Sequence, residues 1–188
     1  MQKLTAAILI IVLAVPALVA APSLLPRKSP DFTISEPSGK TTSLSALKGR
    51  VVVMEFFFVQ SEHCTRVMKI LNKLNEEMAP RGFQALGVVF DPPRSPNSHG
   101  NLIGPAVDNF KITFPIGFSS KADIDSYLGR QPKEVLNIPQ IIVIDRAGMI
   151  RAASGAAGGD PRLEDGNSLR SVIDGLLNEG ASVGTLRK

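Results

Sequence analysis

A chain of 188 residues with 44% hydrophobic content is sized for one domain with an ordinary core. Its formal charge of +4, from 21 basic and 17 acidic residues scattered along the chain, makes no basic run or aromatic-interleaved stripe, which excludes a nucleic-acid surface. Cys64 is the only cysteine, which excludes an internal disulfide.

In chain order, Lys3 precedes LTAAILIIVLAVPALVAA, an uncharged apolar run with the layout of an export signal. Its length is at the lower end of what spans a bilayer. Residues 1–21 are therefore read as a signal peptide or a retained N-terminal membrane anchor. Pro16 interrupts the run and SLLPRKSP follows it, so residues 22–29 are read as a linker. Export puts the following domain in a periplasmic or other extracytoplasmic compartment, where lone thiols are scarce and usually have a purpose.

The domain is expected over residues 30–180, with a short tail at 181–188. PDFTI reads as a short strand, and SGKTTSLSALKG as a turn with a helical tail. Val51 to Phe58 is β-branched and aromatic on both faces except at Glu55, the pattern of a central strand. TRVMKILNKLNEEM places Val67, Ile70, Leu71, Leu74 and Met78 on one helical stripe. FQALGVVFD is the next buried strand, and DPPRSPNSHGN a proline- and glycine-rich loop. A helix over Ile103 to Phe110, the segment TFPIGFSS and a short helix ADIDSYLG follow. IIVID and MIRAASG read as strands joined by the turn Arg146-Ala147-Gly148. LEDGNSLRSVIDGLLNEG closes the domain as an amphipathic helix carrying Leu169, Val172, Ile173 and Leu176. The alternation predicts an α/β domain of mixed sheet.

Three features make the chain resemble the thioredoxin superfamily, in its exported, TlpA-like thiol-disulfide oxidoreductase branch related to the AhpC/TSA proteins. VVVMEFFFVQSEHC is similar to the family's strand, acidic residue, aromatic pair and active-site loop. NIPQIIVIDRAGMI is similar to its proline, strand, turn and second strand. The helix and strand between Ile103 and Ser119 match the insertion typical of the branch. The resemblance implies a thioredoxin-like fold with a mixed central sheet flanked by helices, an N-terminal β extension and a central insertion.

By that resemblance Ser61 occupies the place of the attacking cysteine and Cys64 that of the second, resolving one. Ordinary dithiol turnover is therefore missing its first thiol, because a serine hydroxyl has too high a pKa to replace a thiolate. Glu55 matches the acidic residue beneath the second cysteine. Buried there, it would have a raised pKa and be suited to take the Cys64 proton; the alternative is a carboxylate facing solvent at a sheet edge. His63 is either a group that stabilises a thiolate when protonated or a solvated first-turn residue. Pro139 resembles the family's cis-proline, which would offer the backbone of Ile138 to a bound partner; a trans proline at a strand start is the alternative.

The implied function is thiol redox or antioxidant chemistry by a single active-site thiol. Its partners would be protein thiols or disulfides, with an external thiol reductant. A one-cysteine peroxidase is a second reading, with Ser61 orienting peroxide at Cys64, but Phe57 stands where that family has a shielding proline. The third reading is a non-catalytic module that binds polypeptide around Ile138 and Pro139. No cofactor or metal is expected. Membrane contact would run through the N-terminal segment alone.

Overall fold

The run Val51–Phe57 is buried at every position and forms the centre of an eight-stranded sheet. The computed structural model describes residues 25–90, 99–131, 134–135, 137–154 and 161–184. The apolar run read as signal or anchor lies outside the described residues, as do residues 91–98 of the proline-rich loop and the last four of the tail. Among the described residues no helix is long and apolar enough to cross a membrane.

The strands are β1 Arg27–Lys28, β2 Thr33–Ser35, β3 Thr41–Ser43, β4 Val51–Phe57, β5 Phe83–Val89, β6 Ile116–Phe118, β7 Gln140–Ile144 and β8 Met149–Ala153. Their order is β1-β8-β7-β4-β5-β6-β2-β3, with β4, β5 and β6 parallel and every other pair antiparallel. The helices are α1 Glu62–Met78, α2 Ile103–Phe110, α3 Lys121–Leu128, α4 Pro161–Glu164 and α5 Gly166–Gly184. This is the expected thioredoxin-like α/β fold, with the insertion present as α2 and β6.

Side chains alternate across each strand, so β4 feeds two cores. Val51, Val53 and Phe57 pack with Cys64, Val67, Met68 and Leu71 of α1 and with Leu169 and Ile173 of α5. Val52, Met54 and Phe56 pack on the other face with Phe32, Leu86, Ile124 of α3, Tyr127 and Ile142. Gly87 of β5 fits closely between side chains of β4 and β6, since a Cβ there would lie 2.8 Å from Ile116 Cγ1 and 3.1 Å from Phe57 Cε1 and would force them to shift. Arg81 pairs with Asp174, and Arg170 with Glu77, tying α5 to α1 and to the turn that follows α1.

Four boundaries differ from the sequence expectation. Arg27–Lys28, read as linker, pair with Ile150 and Met149 at the sheet edge. Thr41–Ser43, read as part of a turn, pair with β2. α1 begins at Glu62, so Cys64 joins the buried stripe while Ile70 is only partly buried. The final helix is broken at Asp165, whose Oδ1 accepts from Ser168 N at 2.8 Å and whose carbonyl accepts from Leu169 N. That residue caps α5, which runs on to Gly184, and separates it from the short α4.

Candidate functional site

β4 ends at Phe57, and after four intervening residues the chain enters α1 at Glu62. Ser61 has extended backbone and is the N-cap: its hydroxyl accepts from Cys64 N at 3.3 Å, and its carbonyl from Thr65 N at 2.9 Å. A free N–H at a helix start needs such a partner, so serine has a structural reason to stand here apart from any missing thiol. Glu62 in the first turn suits the positive end of the helix dipole.

Cys64 is the third residue of α1 and faces inward, with no exposed surface. Burial pushes its thiol pKa up, and the Glu55 charge adds to that rise. Hydrogen bonds with the Ser61 hydroxyl and the Phe58 backbone act in the opposite direction. The net result is a thiol that holds its proton above the ordinary range.

Glu55 lies on the Cys64 side of the sheet by strand alternation, two residues from Val53 and two from Phe57. It is completely buried, which excludes the solvent-facing alternative. Its neighbours across the ladder are Gly87 and Ile141, and neither offers a donor side chain. Both carboxylate oxygens are buried without a hydrogen-bond partner. Burial, with the Glu164 charge second, holds this carboxyl well above the usual carboxylate range. Glu55 and Cys64 each raise the cost of ionising the other.

His63 is exposed, and its Nε2 meets the Glu164 carboxylate at the end of α4. Sequence reasoning missed Glu164. It is 101 residues from His63, and only the break at Asp165 brings α4 into place. The neighbouring Leu163 enters the same core as Cys64.

The peptide bond before Pro139 is cis. Gln140 Nε2 donates to Asn137 O at 2.5 Å, closing the turn that carries Ile138 and Pro139. Phe56 pairs with Gln140, so one further step of the antiparallel register sets Pro139 beside Phe57 at the thiol end of β4. Pro139 is buried, and Ile138 is half-buried against both cores. Cys64, Glu55, Ser61 and His63 thus share one neighbourhood, and the proline turn lies at the same end of the sheet.

The model of the AhpC/TSA family matches residues 26–153. The thioredoxin-like protein YneN of Bacillus subtilis (strain 168) is 26% identical over 125 residues, covering 66% of this chain and 68% of its own. Among solved structures, the thioredoxin domain of a thiol-disulfide oxidoreductase from Bacteroides vulgatus superposes with a TM-score of 0.61 at 24% identity, covering 80% of this chain and 99% of its own. A thiol:disulfide interchange protein of the thioredoxin family from Chlorobium tepidum TLS gives 0.64 at 20% identity, covering 83% and 99%. At these identities the two structures establish the fold.

Proposed function

The chain belongs to the AhpC/TSA family, and on that premise we propose that it is an exported thiol-redox module that engages cysteines of protein partners through Cys64 alone. One observation carries the reading. Cys64 is set at a helix start, bonded to the serine that caps that start and on the same sheet face as a buried, unpartnered carboxyl. An unpartnered buried acid is costly, and such costs cluster where a proton has to move.

The exchange step balances without any second thiol in the chain. Cys64 gives up its proton, with Glu55 in its carboxylate form as the acceptor by way of an intervening water, and the thiolate attacks one sulfur of a partner disulfide. A Cys64–partner disulfide forms, the partner's S–S bond breaks, and the departing thiolate takes a proton. An external thiol then attacks the partner's sulfur in the mixed disulfide and returns Cys64 to its reduced form. Ser61 cannot perform that second attack, so the mixed disulfide persists until the external thiol arrives. The export part of the reading rests on Lys3 and the apolar run of residues 1–21.

The complete burial of Cys64 favours one competing reading, a module that binds polypeptide and keeps its thiol inert. Mass measurement of the folded protein after incubation with oxidised glutathione separates the two. We expect a single adduct on Cys64, no insulin reduction by the wild type, and both an internal disulfide and dithiol-dependent insulin reduction in Ser61→Cys. Absence of any adduct on the folded wild type supports the inert module. Rapid sulfenic acid formation with dilute peroxide supports the peroxidase reading instead.

A further inference from the structure

A groove of about 630 Å³ runs along the outward side of α1, starting next to the thiol loop. Glu62, Arg66, Lys69 and Lys73 recur along it at helical spacing, and Ile70 and Phe110 supply its apolar floor. Phe110 comes from the end of α2 and is half-buried, as is Ile70. Lys69 Nζ lies 4.7 Å from the centre of the Phe110 ring.

The charges on α1 are sorted. Glu77 is taken up by Arg170, and Glu76 accepts from the Asn72 amide. Among the described residues Arg66, Lys69 and Lys73 have no carboxylate partner, and Glu62 is the one acid lining the groove. Three uncompensated cations over an apolar floor are complementary to a chain that carries both acidic and apolar side chains.

We propose that this groove docks an acidic polypeptide segment, Asp- and Glu-rich with an apolar residue for the floor, belonging to the redox partner. The inference rests on the proposed function for the partner's being a protein, and it adds that partner's chemistry. Adjacency to the thiol loop is what favours a polypeptide over other polyanions, since a segment held here presents its neighbouring residues to Ser61 and Cys64.

The test uses the full chain in non-ionic detergent and two dye-labelled, cysteine-free peptides of equal length, one of Asp, Glu and Leu and one of Lys and Leu. Fluorescence anisotropy should show binding of the acidic peptide only. The affinity should fall about tenfold or more when salt is raised from about 0.1 M to about 1 M. Lys69→Glu with Lys73→Glu should cause a loss of about tenfold or more, and Lys69→Arg with Lys73→Arg should retain binding. Circular dichroism of each variant separates lost binding from lost fold.

The Cys64→Ser chain should bind the acidic peptide as the wild type does. Failure of the thiol chemistry and failure of the docking surface are therefore read independently. Equal binding of the two peptides, or acidic-peptide binding unmoved by the charge reversal, overturns the proposal. So does displacement of the peptide by anionic vesicles or an oligonucleotide bound through the same lysines. No peptide binding at all, as expected if another part of the chain fills the groove, also overturns it.

Discussion

The seven residues of β4 divide between its two faces, which differ in one respect. Val52, Met54 and Phe56 project into a core that is apolar and aromatic, where Phe56 meets Phe32 at 5.7 Å, Tyr127 at 5.8 Å and Phe90 at 6.1 Å between ring centres. Val51, Val53 and Phe57 project into an equally buried core that also contains Cys64 and the unpartnered Glu55. The first face can be optimised for packing alone. The second gives up stability to keep Glu55 and Cys64 away from water, which leaves the strand with a packing face and an ionisable face.

The largest expected effect tests the packing face. Phe56→Ala should cost about 3–5 kcal/mol in urea unfolding, the usual range for emptying an aromatic site in a core. The variant should leave the pH dependence of Cys64 alkylation in the folded protein unchanged. A shifted alkylation profile would mean that the two faces are not independent.

Glu55→Gln tests the other face. The folded carboxyl keeps its proton to higher pH than the unfolded chain does, because burial holds it well above its ordinary value of about 4.5. The stabilising contribution of the protonated form is therefore complete below the unfolded pKa. It declines as pH rises toward the folded pKa, by at most about 1.4 kcal/mol per pH unit. Gln cannot ionise, so the stability of wild type relative to the variant should fall with rising pH from the unfolded value upward. The Cys64 alkylation profile should also lose any inflection owed to the carboxyl. A stability difference that stays flat with pH would show that Glu55 is not the titrating group of this core.

The sheet and the long helix were legible because their signals are long. Seven consecutive positions that are apolar or aromatic except at Glu55 identify β4, and a helical stripe over four turns identifies α1. β1 and β3 were not legible. RK and TTS are too short to show alternation, and only backbone pairing with β8 and β2 makes them strands. The candidate site divides the same way. Cys64, Glu55 and the Ile138–Pro139 turn stand out as residue types that are unusual in their local runs. The capping role of Ser61 is also readable, since a serine directly before a helix is a start signal, although its place in the cysteine motif points equally to chemistry. Glu164 had no local signal, because its role depends on Asp165 interrupting what reads as one continuous amphipathic helix.

Glu164 should show the weakest of these effects. Its ion pair with His63 is partly exposed on the histidine side, where 43% of the side chain is accessible, so the pair itself should be worth no more than about 1 kcal/mol. Its influence on Glu55 is a separate matter. The Glu164 charge adds to burial in raising the Glu55 pKa, so Glu164→Gln should let Glu55 ionise at lower pH. The fall in stability with rising pH should then end earlier than in wild type. In the double variant with Glu55→Gln no such change should be measurable, because the titrating group is gone. The cycle of four proteins, unfolded in urea across the pH series, isolates this coupling from the cost of the His63 contact. Strict additivity at every pH would confine Glu164 to holding α4 against His63. A coupling that appears only where Glu55 titrates would extend the ionisable face of β4 to a residue more than a hundred positions away.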